Sequence, residues 1–165
     1  MTDIHERIAV ECPFERAPAY VRAYLARHTT APTRSAAITM RLPLGDVALE
    51  HDVEVSLAEL PEHALGNVVT VDWRPKGGGP YPAFAGTLAF HAEGEEACAM
   101  ALDGEYEPPG GALGKAFDAA VGRRISTAGV KNLLLTFKRE IEGAYREEVE
   151  RVAGSGSPKY PPSYE

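Results

Sequence analysis

Cysteine is scarce in this chain. Cys12 and Cys98 are its only two in 165 residues, they stand far apart, and neither sits in a histidine pattern. A disulfide framework and a zinc site are therefore not expected. Basic charge is also in deficit, with 17 Lys and Arg against 24 Asp and Glu and a net charge of -7. That balance disfavours nonspecific binding to nucleic acid or anionic lipid, which depends on clustered cations. Arg123, Arg124 and Lys131 could form a local basic patch, but the usual reading of such charges is a solvated helix face. Long apolar runs are missing as well. No stretch approaches the ~18 apolar residues of a membrane span, and Met1-Thr2-Asp3-Ile4-His5-Glu6-Arg7 has no basic segment leading into an apolar one. A cytoplasmic protein without a transmembrane segment is expected.

What is present suits one self-sufficient domain. At 165 residues and 44% hydrophobic composition, a chain buries roughly 70% of its unfolded surface without disulfides or metals. The expected organisation is a single domain over residues 1–152 and a flexible tail over 153–165, where Gly, Ser, Pro and Tyr replace any periodic pattern.

Periodicity divides the domain into three parts. Ile4, Ile8, Val10 and Cys12 share one parity of a half-buried strand, with Glu6 as the polar exception on that side. From Phe14 to His28, the apolar residues Phe14, Ala17, Val21, Tyr24 and Leu25 approach helical spacing, with Pro18 near a start or a break. Thr29 to Ser35 reads as a loop. The period then stays at two for about seventy residues. Ile38, Met40, Leu42 and Leu44 form one face. The next strand carries Val47, Leu49, His51, Val53, Val55 and Leu57, and those after it carry Val69, Val71 and Trp73, then Phe84, Leu88 and Phe90, then Cys98, Met100, Leu102 and Tyr106. Connections between them are too short for crossover helices, so the strands make an antiparallel meander. From Leu113 a helical stripe takes over through Phe117, Val121, Ile125 and Ala128, continuing with Val130, Leu134, Phe137, Ile141 and Tyr145. Gly122 and Gly129 are positions where this helix could bend.

The junction Gly104-Glu105-Tyr106-Glu107-Pro108-Pro109-Gly110, followed by Leu113-Gly114, Phe117-Asp118 and Arg123-Arg124-Ile125, is similar to the strand-to-helix junction of the START-like, or SRPBCC helix-grip, superfamily. Within it the chain most resembles the bacterial polyketide cyclase/dehydrase and lipid-transport group, over about 150 residues. The resemblance implies an α+β helix-grip fold: a curved antiparallel sheet gripping a long C-terminal helix over an apolar cavity, with short helical segments after the first strand. Six strands are countable where the family commonly has seven, and the stretch from Val47 to Leu60 could hide the seventh or a bulge. No catalytic residue carries over, because the family shares no catalytic motif.

In such a cavity the inward-facing residues become candidate ligand contacts. On the strands these are Met40, His51, Val53, Val71, Trp73, Phe84, Leu88, Met100 and Tyr106. On the helix they are Phe117, Val121 and Ile125. Polar groups among them are informative, since burying one unpaired costs ~1–3 kcal/mol. His51 could hydrogen-bond a ligand or carry a proton, or be a core histidine satisfied by backbone. Glu6 and Tyr106 are the other acid/base candidates, and either could serve rim or core packing instead. Lys76-Gly77-Gly78-Gly79-Pro80 reads as a gate over the cavity mouth or a long hairpin connection. Gly110-Gly111-Ala112-Leu113-Gly114-Lys115-Ala116 is not a phosphate loop, having Pro109 and Ala116 where the motif needs glycine and a hydroxyl.

The leading functional expectation is a carrier or sensor for a hydrophobic small molecule (a lipid, quinone or polyketide-like compound) that uses no cofactor and no metal and acts as a monomer or homodimer. One alternative is a cyclase/dehydrase-type enzyme using His51 with Glu6 or Tyr106. Another is a protein-interaction module with an exposed apolar rim.

Overall fold

The computed structural model describes residues 2–30, 35–44, 46–59, 67–77, 81–107 and 119–156. Strand β1 (Thr2–Val10) leads to helix α1 (Ala17–His28), a short strand β2 (Thr29–Thr30) and then β3 (Ser35–Leu44), β4 (Val47–Glu59), β5 (Val68–Pro75), β6 (Ala83–Ala92) and β7 (Cys98–Glu107). Helix α2 (Ala119–Ser155) closes the order. All seven strands form one sheet in the order β1-β7-β6-β5-β4-β3-β2, antiparallel throughout. The α+β helix-grip expectation therefore holds.

The seventh strand is not where the sequence pattern suggested. Val47–Glu59 is one long strand, and its registers with β3 and β5 run without a bulge. The additional strand is Thr29–Thr30, inside the stretch read as a loop, where two residues pair with Ala36 and Ser35. A two-residue strand has no periodicity to detect, and the pairing is made by the returning chain. Cys12 lies past the end of β1 in a turn closed by its own N–H on the Val10 carbonyl, 3.0 Å away. It is nevertheless buried, as is Cys98, and both thiols are free.

Helix α1 starts with Pro18 in its first turn, where the missing N–H is not needed. It buries Ala17, Val21, Tyr24 and Leu25 along one stripe. That stripe meets α2, with the Tyr24 ring edge-on to Phe137 at 6.2 Å. Helix α2 runs unbroken through Gly122 and Gly129 for 37 residues, ~55 Å at 1.5 Å per residue. Ala153, Gly154 and Ser155 belong to it, although the sequence pattern assigned them to the tail. One glycine costs a helix only ~1 kcal/mol, which the preceding turns outweigh. Val130, Leu133, Leu134, Phe137 and Ile141 are its buried face, packed mainly on β1, β3 and α1.

Polar contacts hold the C-terminal half of α2 in place. Lys138 Nζ donates to the Ala9 carbonyl at 2.7 Å, and Glu142 accepts the Glu11 N–H at 2.9 Å. Burial pushes the Glu142 carboxyl up, but the Glu11 N–H and the Lys138 ammonium together outweigh burial and hold it below its ordinary value. Further along the helix, Glu148 accepts from both Tyr20 and Arg16, whose guanidinium lies over the Tyr145 ring at 5.5 Å. This fixes the helix across the concave face of the sheet and leaves the opposite end of the sheet to form the site.

Candidate functional site

Three connections leave the sheet at one end: β3 to β4, β5 to β6, and β7 to α2. The last register positions of the strands at that end bring aromatic residues side by side. Trp73 pairs with Phe84, and Phe84 with Tyr106. All three are buried, and the Trp73 and Phe84 rings stack at 4.3 Å and 15°, a contact worth ~0.5–1.5 kcal/mol beyond area burial. On the outer face at the same end of the sheet, a hollow of about 100 Å³ is lined by the exposed residues Asp72, Arg74, Ala85, Glu105 and Glu107 on the backs of these positions.

A glycine pair makes room for the stack. Gly86 and Gly104 face each other across β6 and β7. A Cβ on Gly104 would stand 2.3 Å from the Ala85 carbonyl oxygen and 2.7 Å from the Phe84 ring. One on Gly86 would stand 2.2 Å from the Asp103 carbonyl oxygen and 2.8 Å from the same ring. The Phe84 ring thus occupies space that any side chain at either position would claim.

His51 lies at the same end of the sheet, on β4, four residues from Val55, the partner of Trp73. Strand β5 stops at Pro75, opposite Val53, so β4 has no β5 neighbour at His51. The chain instead turns at Gly77, where φ is +74°, after the Lys76 N–H donates to the Asp52 carbonyl at 2.9 Å. It returns with Tyr81, whose ring stacks on His51 at 5.6 Å and 10°. The Tyr81 hydroxyl donates to Met40 Sδ at 3.3 Å, and Trp73 Nε1 donates to the Pro82 carbonyl at 3.1 Å. Tyr81 and Pro82 are thereby tied to the inner face on both sides. Burial pushes the Tyr81 phenol well above its ordinary value, so it stays a neutral donor. His51 Nε2 is inaccessible to solvent and has no hydrogen-bond partner among the described residues. On its other side His51 borders an open groove of about 530 Å³ with Thr39, Glu50, Asp52 and Lys76.

The candidate contacts read from the sequence occupy different depths. Met40 and His51 pair with each other and contact Tyr81, while Trp73, Phe84 and Tyr106 form the aromatic row at the same end of the sheet. Val53 and Val71 follow along the inner face, and Leu88 and Met100 lie deeper still, all four buried. Leu88 is four residues from Phe84 along β6, or ~13 Å at the usual strand rise. Ile125 is buried on α2. Phe117 and the runs Gly78–Pro80 and Gly110–Ala116 lie outside the described residues, as does the side chain of Val121.

Glu6 is elsewhere. It faces inward on β1, four strands from β4 in the sheet order, with its carboxylate 3.8 Å from Lys131 Nζ. Among the described residues no hydrogen bond joins His51 to Glu6 or to Tyr106. No cluster of three or more His, Cys, Asp or Glu among them could hold a metal ion, and no helix among them is long and apolar enough to cross a membrane. Arg123 and Arg124 are solvent-exposed. Tyr81 was missed by sequence reasoning. Its signal was a large aromatic flanked by Pro80 and Pro82 in a loop otherwise built from glycine.

Comparison with known proteins places this architecture. A crystal structure from Thermus thermophilus superposes with a TM-score of 0.54 at 14% identity, covering 87% of this chain and 99% of that one. A conserved protein from Geobacillus kaustophilus gives 0.56 at 14%, covering 89% and 97%. The Zhui aromatase/cyclase from Streptomyces sp. R1128 gives 0.55 at 10%, covering 95% and 99%. The fold is the helix grip. No protein-family model matches the chain, and no curated protein does. At these identities the likeness carries the fold alone, so the helix-grip chemistry of this chain has to be read from its own side chains.

Proposed function

We propose that this helix-grip protein binds a hydrophobic small molecule, as a carrier or sensor, at the end of the sheet that carries the row Trp73, Phe84 and Tyr106 and the stacked pair His51 and Tyr81. The observation that carries the reading is His51 Nε2, a buried polar atom with no hydrogen-bond partner among the described residues, on an imidazole covered by the Tyr81 ring. Leaving such an atom without a partner costs ~1–3 kcal/mol, and a bound molecule with one polar group would recover that energy. Apolar walls with a few placed polar groups are the usual composition of a small-molecule site. The aromatase/cyclase among the structural neighbours fits a polyketide-like ligand for the same fold.

Binding is favoured over a cyclase-type reaction by the placement of the titratable groups. General acid–base work needs a second group within hydrogen-bond reach of the reacting atoms. Glu6 faces Lys131 four strands away, and Tyr106 belongs to the row beside Phe84. His51 stands without either.

Native mass spectrometry of the purified protein, followed by organic extraction, tests the proposal. A stoichiometric apolar adduct, lost on extraction and much reduced in Trp73→Ala, is the expected result. A protein that purifies empty and takes up no apolar compound overturns it.

A further inference from the structure

Strand β1 is an edge of the sheet, and helix α2 closes that edge only in part. In an antiparallel ladder alternate residues turn both backbone groups to the same side. The Glu93 N–H bonds the Ala97 carbonyl in the β6–β7 hairpin. By register, Ala99 then bonds His91 on β6, Cys98 bonds Val10 on β1, and Ala9 turns its backbone groups outward. Contacts with α2 agree, since Lys138 donates to the Ala9 carbonyl and Glu142 accepts the Glu11 N–H. The same parity turns the backbone groups of Asp3, His5 and Arg7 outward. All three residues are exposed, and among the described residues no hydrogen bond reaches these groups. The edge is capped at Ala9 and Glu11 and open from Asp3 to Arg7.

The side chains along the open stretch complement a copy of themselves. Asp3 stands directly opposite Glu105 on β7, a like-charge pair that costs stability, and neither carboxylate has a cation partner among the described residues. A second β1 laid antiparallel about His5 sets the partner's Arg7 opposite Asp3 and the partner's Asp3 opposite Arg7. Centring the pair on Asp3, Glu6 or Arg7 would set that charge against itself, and centring it on Ile4 would leave Arg7 beyond the end of the facing strand. Arg7 donates to Glu93 at 2.6 Å, with both side chains exposed. Such a pair is exchanged at little cost, and a guanidinium has donors for two carboxylates.

We propose that the open edge of β1 pairs with β1 of a second copy, antiparallel about His5, so that two seven-stranded sheets join across a twofold axis. Roughly six main-chain hydrogen bonds and two Asp3–Arg7 pairs hold the contact. An interface of one strand is small, so the dimer is weak and forms as concentration rises.

Sedimentation of the full chain from about 1 µM to about 1 mM tests this. The mass is expected to rise from 17.7 kDa toward twice that value. Asp3→Arg and Arg7→Asp each set like charges against each other and are expected to weaken association about tenfold or more. An equimolar mixture of the two variants restores both opposite-charge pairs and is expected to dimerise as the wild type does. Amide exchange followed by NMR reads the backbone. The amides of His5 and Arg7 should gain protection with concentration, whereas those of Ile4, Glu6 and Ile8, already turned to β7, should not change. A wild type that stays monomeric throughout, or variants that dimerise alone as well as they do mixed, overturns the proposal.

Discussion

Replacing Gly104 by alanine would set a methyl group where the structure has none to spare. The added Cβ would lie 2.3 Å from the Ala85 carbonyl oxygen, 2.6 Å from the Gly86 Cα and 2.7 Å from the Phe84 ring. Comfortable contacts between carbon atoms are about 3.5–4.0 Å, so the overlap is about 1 Å against backbone on one side and an aromatic ring on the other. The ring can turn, but only by leaving its stack on Trp73. The backbone can yield only by parting β6 from β7, which are paired along ten positions. Overpacking of this kind costs ~1–3 kcal/mol, and loss of the aromatic contact adds ~0.5–1.5 kcal/mol. A total of ~3 kcal/mol corresponds to a fall in Tm of roughly 6–12 °C for a domain of this length. Trp73 is the only tryptophan, so its fluorescence and near-ultraviolet circular dichroism should change together with the thermal midpoint. Gly143→Ala is the matched control. A Cβ there meets nothing within 4 Å, and relief of a mid-helix glycine is worth roughly 0.5–1 kcal/mol of added stability. Opposite signs at the two sites are expected. A Gly104→Ala protein that melts within a degree of wild type, with its tryptophan signals unchanged, would refute the packing argument.

Three more outcomes follow from the same contacts. The carboxyl of Glu142 is held below its ordinary value in the fold, so its contribution to stability is present above pH ~4.5 and is lost as pH falls through the lowered folded value. Melting curves at pH 6 and pH 3 should therefore differ less in Glu142→Gln than in wild type, and an equal or larger difference would count against the Glu11 and Lys138 contacts. Burial pushes the thiols of Cys12 and Cys98 up to about 12 and about 11, so a disulfide reagent at pH 8 should label neither until the protein unfolds. Rapid labelling of either one in the native state would show that the β1–β7 end opens. Phe137 is fully buried on α2 against Tyr24, and Phe137→Ala is expected to cost ~3–5 kcal/mol in a denaturant titration. A loss under about 1 kcal/mol would mean that α1 is not docked there.

Much of the fold was legible because it depends on local periodicity. The parity of Val69, Val71 and Trp73, or of Cys98, Met100 and Leu102, is a property of neighbouring residues, and each of these side chains is buried as its parity implied. The helical stripe through Val130, Leu134, Phe137 and Ile141 was readable for the same reason. Leu133, fully buried beside that stripe, was overlooked because the helix faces both the sheet and α1. Thr29–Thr30 escaped because a strand of two residues is defined by its partner rather than by its own pattern.

The candidate site divides in the same way. That His51 faces inward between apolar neighbours on β4 is a parity statement, available from the sequence. That its Nε2 has no partner among the described residues, that Tyr81 covers it from a loop thirty positions on, and that Glu6 faces Lys131 instead of His51 are statements about distance through space. The pairing of Gly86 with Gly104, which makes room for the Phe84 ring, is of the second kind too. Order and type of the long elements follow from the chain alone, since hydrophobic burial acts on every residue through its parity or helical phase. Which polar groups end up satisfied is decided only when the strands are in register and the loops have closed, because a hydrogen bond depends on two positions at once and periodicity describes one.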